Sequence, residues 1–267
     1  MDLRPSLREV GQGPPVVCLH SNASTSSQWR SLGDLLADRF HVIAVDGYGA
    51  GKSPPWPIDR ALRLDDEVAL LEPVLAQAGA PLHLVGHSYG GAVALRAALA
   101  NPGRVASIVV YEPTVFHLLV DAGADPLQSA GQGIWRAALA AAAAAERGDD
   151  FGAAEIFIDY WMGAGAFRTM PASRQPAIAA SVRNVGGWLD ALFADTTPPS
   201  AYAALDVPVL YLWGDSSPKS ARAVAERLTR TLPRVTSAPQ PGLGHMAPIT
   251  HPDVINPQIR AFLERAA

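Results

Sequence analysis

Ser88 stands between Gly86 and Gly90 in the stretch Leu82–Leu99, LHLVGHSYGGAVALRAAL, where an apolar strand-like run passes into an apolar helical one. A serine hydroxyl is a poor nucleophile at neutral pH and needs help from geometry. A sharp strand-to-helix turn lifts Oγ clear of its own backbone toward a base. It also aims the next N–H, that of Tyr89, at the place where an oxyanion forms. Gly86 and Gly90 suit such a turn, because strand and helix backbones come too close there for a Cβ. The spacing therefore points to nucleophilic attack on a carbonyl. A Gly-Ser turn without chemical meaning is the competing reading, and the apolar runs on both sides of it argue against that.

A nucleophile of this kind requires a base. His245 lies in Gly242-Leu243-Gly244-His245-Met246-Ala247-Pro248, after the last predicted strand and before the last predicted helix. The order Ser then His, with sheet between them, suits a relay of this type. An isolated loop histidine is usually only a loop residue, and it is the turn at Ser88 that makes His245 the candidate base. His41 and His83 begin strands, and His87 belongs to the turn itself. Leu19-His20-Ser21-Asn22-Ala23-Ser24 follows an early strand and should cross the mouth of the sheet. The N–H of Asn22 is then a second oxyanion donor beside that of Tyr89, and two oriented donors are worth several kcal/mol in acyl transfer. The same Ser/Thr-rich run also reads as a helix cap, with Ser26 or Ser27 as N-cap.

One motif misleads. Asp46-Gly47-Tyr48-Gly49-Ala50-Gly51-Lys52-Ser53 ends like a phosphate-binding loop, but Asp46 stands where glycine is needed. Pro54-Pro55-Trp56-Pro57 follows, which denies a phosphate the helix N-terminus it would bind. Nucleotide binding is not expected.

The elements that must hold these residues are readable from periodicity. Strands are predicted at Pro15–Leu19, His41–Val45, Leu82–Gly86, Ala106–Tyr111, Val207–Trp213 and Arg234–Ala238. Helices are predicted at Ser26–Ala37, Leu62–Gly79, Tyr89–Asn101, Ser220–Leu232 and Asp253–Arg265. This alternation predicts an α/β fold, a mostly parallel sheet with helices on both faces. From Pro113 to about Tyr202 no strand pattern appears, and the Ala-rich helix Ala137–Arg147 is surrounded by scattered aromatics. Roughly ninety residues is too long for a loop, so a helical cap inserted into the core is expected. The expected division is a core of residues 1–112 and 203–267 and a cap of 113–202.

Composition narrows the class. The 267 residues are 49% hydrophobic and 17% charged, enough for a sizeable core, and the net charge of −4 argues against nucleic acid or anionic membrane as partners. The single cysteine, Cys18, lies in PVVCL and reads as a buried small hydrophobe. No signal-peptide pattern and no run of about 18 apolar residues is present, so the expected location is cytoplasmic. No zinc-like Cys/His spacing appears, and no cofactor or metal is expected.

Taken together, GHSYGG, DGYGAGKS, the LWG strand end and GHMAP resemble the α/β-hydrolase superfamily over nearly the whole chain. The resemblance implies an eight-stranded, mostly parallel sheet with an inserted helical cap, Ser88 as nucleophile, His245 as base, and Asn22 and Tyr89 as oxyanion donors. Three departures stand out. Only about one strand, near Leu3–Val10, fits before Pro15. Ser21 occupies a position where the family commonly has glycine. The family's usual acid position, in G-x-x-D after the next-to-last strand, is Ser217 here, with Asp215 two places early. The family's second acid position, at the end of the strand preceding the cap, is Glu112, ahead of the stiffening Pro113. Glu112 is the preferred partner of His245 and Asp215 the alternative.

The expected activity is cleavage of an ester-like bond in a small apolar substrate through an acyl-enzyme. A C–C bond hydrolase, lactonase or perhydrolase using the same triad remains open. So does a member of the fold that binds a ligand without turnover.

Overall fold

The computed structural model describes residues 4–56, 60–120 and 129–267. Leu3, Pro57 and residues 121–128 of the expected cap lie outside the described residues. Seven strands form one sheet: β1 (Leu7–Val10), β2 (Pro15–Leu19), β3 (His41–Val45), β4 (Leu82–His87), β5 (Val105–Tyr111), β6 (Val209–Gly214) and β7 (Val235–Gln240). Their spatial order is β1-β3-β2-β4-β5-β6-β7, and every pairing is parallel except β1 with β3. The described residues thus form seven strands where the resemblance implied eight. At the N-terminal end the described residues hold one exposed strand before Pro15, β1, in keeping with the room for about one strand that the sequence leaves near Leu3–Val10.

Alternation along the strands builds two cores, because successive side chains point to opposite faces. On β2 and β3, Val17, Leu19, Ile43 and Val45 join one core, while Val16, Cys18, Val42 and Ala44 join the other. The first core is covered by α2 (Leu64–Ala78), α3 (Tyr89–Ala100) and α10 (Lys219–Thr231), through residues such as Leu71, Leu95 and Leu228. The second is covered by α1 (Arg30–Leu36) and α12 (Pro252–Ala266), through Leu32, Leu36, Ile259 and Phe262. Each fully buried side chain of this size contributes about 1.5–3 kcal/mol of transfer free energy. Cys18 is fully buried and burial pushes its thiol up, so it packs rather than reacts.

Between β5 and β6 the chain forms α4 (Gln132–Glu146), α5 (Asp150–Met162), α6 (Ala166–Thr169), α7 (Gln175–Val182), α8 (Val185–Phe193) and α9 (Pro199–Ala203). Small residues on α4, Ala138, Ala141 and Ala144, are buried and let α5 and α8 approach closely. The aromatics of this segment mostly pack on one another, as in the Trp135–Phe193 and Phe157–Trp188 pairs. A short α11 (Ala247–Thr250) leads into α12.

Strand order reverses between β2 and β4, since β3 lies to one side of β2 and β4 to the other. At such a switch point the loops leaving the two strands part in opposite directions and open a crevice at the carboxyl ends. Asn22 follows β2, Ser88 follows β4, Glu112 follows β5 and His245 follows β7, so all four lie at that end.

Candidate active site

Ser88 links β4 to α3 with φ +55° and ψ −118°, a conformation that L-residues rarely adopt. Its backbone is held on all sides: the N–H donates to Tyr111 O at 2.9 Å, and the carbonyl accepts from Gly91, Ala92 and Thr114 N–H. The glycines around it are needed for contact. A Cβ on Gly86 would fall 2.4 Å from Gly90 O, and one on Gly90 would fall 2.3 Å from Leu19 O. The second contact brings the end of β2 against the turn. Asn22, Ser88 and His245 line one cavity.

His245 is brought to Ser88 across 157 residues of sequence. Ser88 Oγ donates to His245 Nε2 at 2.9 Å, and His245 Nδ1–H donates to Glu112 Oε2 at 2.6 Å. All three side chains are buried. Glu112 has φ +45° directly after β5, and its other oxygen, Oε1, accepts the Gly214 N–H at 2.7 Å. That second bond fixes the carboxylate so that Oε2 faces the imidazole. Asp215 does not reach His245. It is exposed, and its Oδ1 accepts from Gly242 N–H at 2.8 Å and from Ser216 Oγ, bracing the loop that carries the histidine. Ser217 is buried beside this loop and bears no carboxylate.

Three supporting residues carried no signal in the sequence. Trp161, from α5, stacks on the His245 ring with centroids 3.8 Å apart and holds its plane. His87 Nε2–H donates to the His245 carbonyl at 2.8 Å, while Gln28 Nε2 donates to His87 Nδ1 at 3.1 Å. Gln28 Oε1 in turn accepts from both the N–H and the Oγ of Ser21. One amide side chain thus ties the Asn22 loop to the His245 loop. Burial, reinforced by His245 nearby, holds His87 well below the usual imidazole range, in keeping with a neutral ring that donates from Nε2 and accepts at Nδ1. Glu67 was also missed. It lies behind Tyr89, accepts from Tyr89 Oη at 3.3 Å and from Tyr48 N–H at 3.2 Å, and burial raises its pKa to about 7. Polar groups separated by 59 or 22 residues have no periodic relation, so only the fold reveals these contacts.

The helix cap in the Ser/Thr-rich run is Thr25, one residue before the pair expected: its Oγ1 accepts from Ser27 N–H at 3.3 Å. In the GKS loop, Asp46 Oδ1 accepts the Ser26 N–H at 2.5 Å, and residues 54–56 are not helical. That segment closes one side of the cavity through Gly49, Ala50 and Gly51. The cavity measures about 750 Å3, and Phe116, Ile134, Trp188, Leu189 and Phe193 give it a largely apolar wall. Among the described residues no three His, Cys, Asp or Glu side chains converge as a metal-binding set. Nor is any described helix long and apolar enough to cross a membrane.

A model of the alpha/beta hydrolase family matches residues 16–258. Over 97% of its length the chain is 30% identical to 2-(acetamidomethylene)succinate hydrolase from Mesorhizobium japonicum, covering 91% of that protein. A shorter match, 36% identity over 39% of each chain, is to a pimeloyl-[acyl-carrier protein] methyl ester esterase from Aeromonas hydrophila; here the chain spans about two fifths of its relative's length. Among solved structures, an esterase from Exiguobacterium antarcticum superposes with a TM-score of 0.80 at 16% identity, over 97% of this chain and 95% of that one. The enol-lactonase from Burkholderia xenovorans gives 0.79, also at 16% identity, over 97% and 96%. At these identities the structural likeness establishes the fold.

Proposed function

The chain belongs to the alpha/beta hydrolase family, and from that premise we propose that it is a serine hydrolase that cleaves an ester-like bond through an acyl-enzyme. The observation that carries this reading is the relay Ser88–His245–Glu112, with contacts of 2.9 and 2.6 Å. In the first half-reaction Ser88 Oγ attacks the carbonyl carbon and His245 Nε2 takes its proton. Glu112 keeps Nδ1 protonated and Nε2 free to accept, and it offsets the charge that the imidazolium gains. The N–H groups of Asn22 and Tyr89 face the developing oxyanion. His245 then protonates the leaving group. In the second half-reaction His245 activates a water, which attacks the acyl carbon, and Ser88 regains its proton.

The helical segment between β5 and β6 acts as a cap: it supplies Trp161 against His245 and most of the apolar wall. A cavity of this character favours a small to medium apolar acyl group. A fluorophosphonate probe tests the reading. It labels Ser88 covalently, and Ser88→Ala abolishes labelling. A folded chain whose Ser88 resists the probe would instead be a binding protein on this fold.

A further inference from the structure

A second cleft, of about 550 Å3, lies against His245, between the end of α5 and the start of α10. It shares Trp161, Met162, His245, Met246 and Thr250 with the apolar cavity, so the two spaces abut along that wall. Their chemistry differs. Lys219 and Arg222 line the cleft, and among the described residues no carboxylate does. The two cations are i and i+3 on α10 and so share a face. Both are exposed, and neither has an ion-pair partner among the described residues.

Three further features make this a place for an anion. Helix α10 begins without a side-chain cap and without an acidic residue in its first turn, so the positive end of its dipole is uncompensated. Ser217 lines the cleft, is 4% exposed, and its hydroxyl has no hydrogen-bond partner among the described residues. The nearest acid in sequence, Asp215, is committed through Oδ1 to Gly242 N–H and Ser216 Oγ.

We propose that this cleft receives the leaving half of the substrate and that this half carries an oxyanion, a carboxylate or a phosphate, held by Lys219, Arg222, the Ser217 hydroxyl and the start of α10. The inference rests on the acyl-transfer reading, which supplies its direction. The leaving group takes its proton from His245, which lines both spaces, so it departs beside the wall that the cleft shares. The acyl half stays in the apolar cavity. Atoms balance as in any ester hydrolysis: the acyl–oxygen bond breaks, the leaving oxygen gains the proton from His245, and water completes the acid.

The test compares two esters of one acyl chain, 4-nitrophenyl hexanoate and 3-carboxy-4-nitrophenyl hexanoate, which differ by one carboxylate on the leaving group. The expected result is a ratio of kcat/KM, charged over neutral, that falls about tenfold in Lys219→Ala/Arg222→Ala, mainly through KM. Arg222→Lys retains most of the ratio, and Arg222→Glu lowers it further than Arg222→Ala. Inorganic phosphate and acetate, at constant ionic strength, compete with the charged ester in the wild type, and the stronger competitor identifies the anion. Ratios equal within twofold across all variants, with both esters hydrolysed, overturn this inference alone. Failure to hydrolyse either ester, with Ser88 unlabelled by the fluorophosphonate, overturns the acyl-transfer reading and the inference with it.

Discussion

At the scale of single residues, the question is which carboxylate serves His245. Glu112 Oε2 lies 2.6 Å from Nδ1, and its second oxygen is pinned by Gly214 N–H. Removing the negative charge while keeping the shape should leave the imidazole poorly oriented and its developing charge uncompensated. Glu112→Gln is therefore expected to lower kcat on an activated ester by about 10³- to 10⁴-fold, with a changed pH–rate profile. Asp215→Asn should stay within about threefold, because an amide oxygen can still accept the Gly242 N–H. Measuring both variants in one assay decides the matter. A collapse confined to Asp215→Asn would move the acid to that position.

At the scale of elements, the strands were the most legible part of the sequence. Short apolar runs such as PVVCL and HVIAV, bounded by turn residues, place β2 and β3 at their observed limits. The elbow was equally legible from its glycine spacing, although only the Gly86 contact is local to the turn, while Gly90 is demanded by the end of β2. The identity of the acid was less so. Glu112 could be ranked ahead of Asp215 from its place at a strand end, but only the parallel pairing of β5 with β6 brings Gly214 to its carboxylate. Gln28, His87 and Trp161 were out of reach for the same reason: each acts through a contact made by packing, with no spacing that periodicity can detect. The single strand before Pro15 was legible as well: the sequence left room for about one near Leu3–Val10, and among the described residues β1 occupies Leu7–Val10.

At the scale of the whole molecule, Glu67 ties the core behind Tyr89 to pH. Burial raises its pKa from the usual 4.5 to about 7, so the folded chain holds this proton more tightly than the unfolded chain does. Its contribution to stability is present in full below pH 4.5, falls as pH rises toward 7, and is gone above it. At about 1.4 kcal/mol for each tenfold change in proton affinity, the loss amounts to about 3 kcal/mol. Glu67→Gln can keep both contacts, accepting from Tyr48 N–H and donating to the Tyr89 hydroxyl. Its melting temperature should therefore fall less between pH 5 and pH 8 than that of the wild type. Equal falls in the two proteins, followed by thermal unfolding, would remove Glu67 from this role.

The sheet, the elbow, the histidine loop and the helical segment between β5 and β6 bear on one claim, that the acyl group passes through Ser88. Rapid mixing with 4-nitrophenyl hexanoate, acid quench and digestion after arginine isolates Ser88 on the peptide Leu64–Arg96. An acyl-enzyme on Ser88 gives a transient hexanoyl mass on that peptide, formed with a burst of nitrophenol and absent in Ser88→Ala. Steady turnover with no acyl mass on Ser88, or with the mass on another residue, would contradict it.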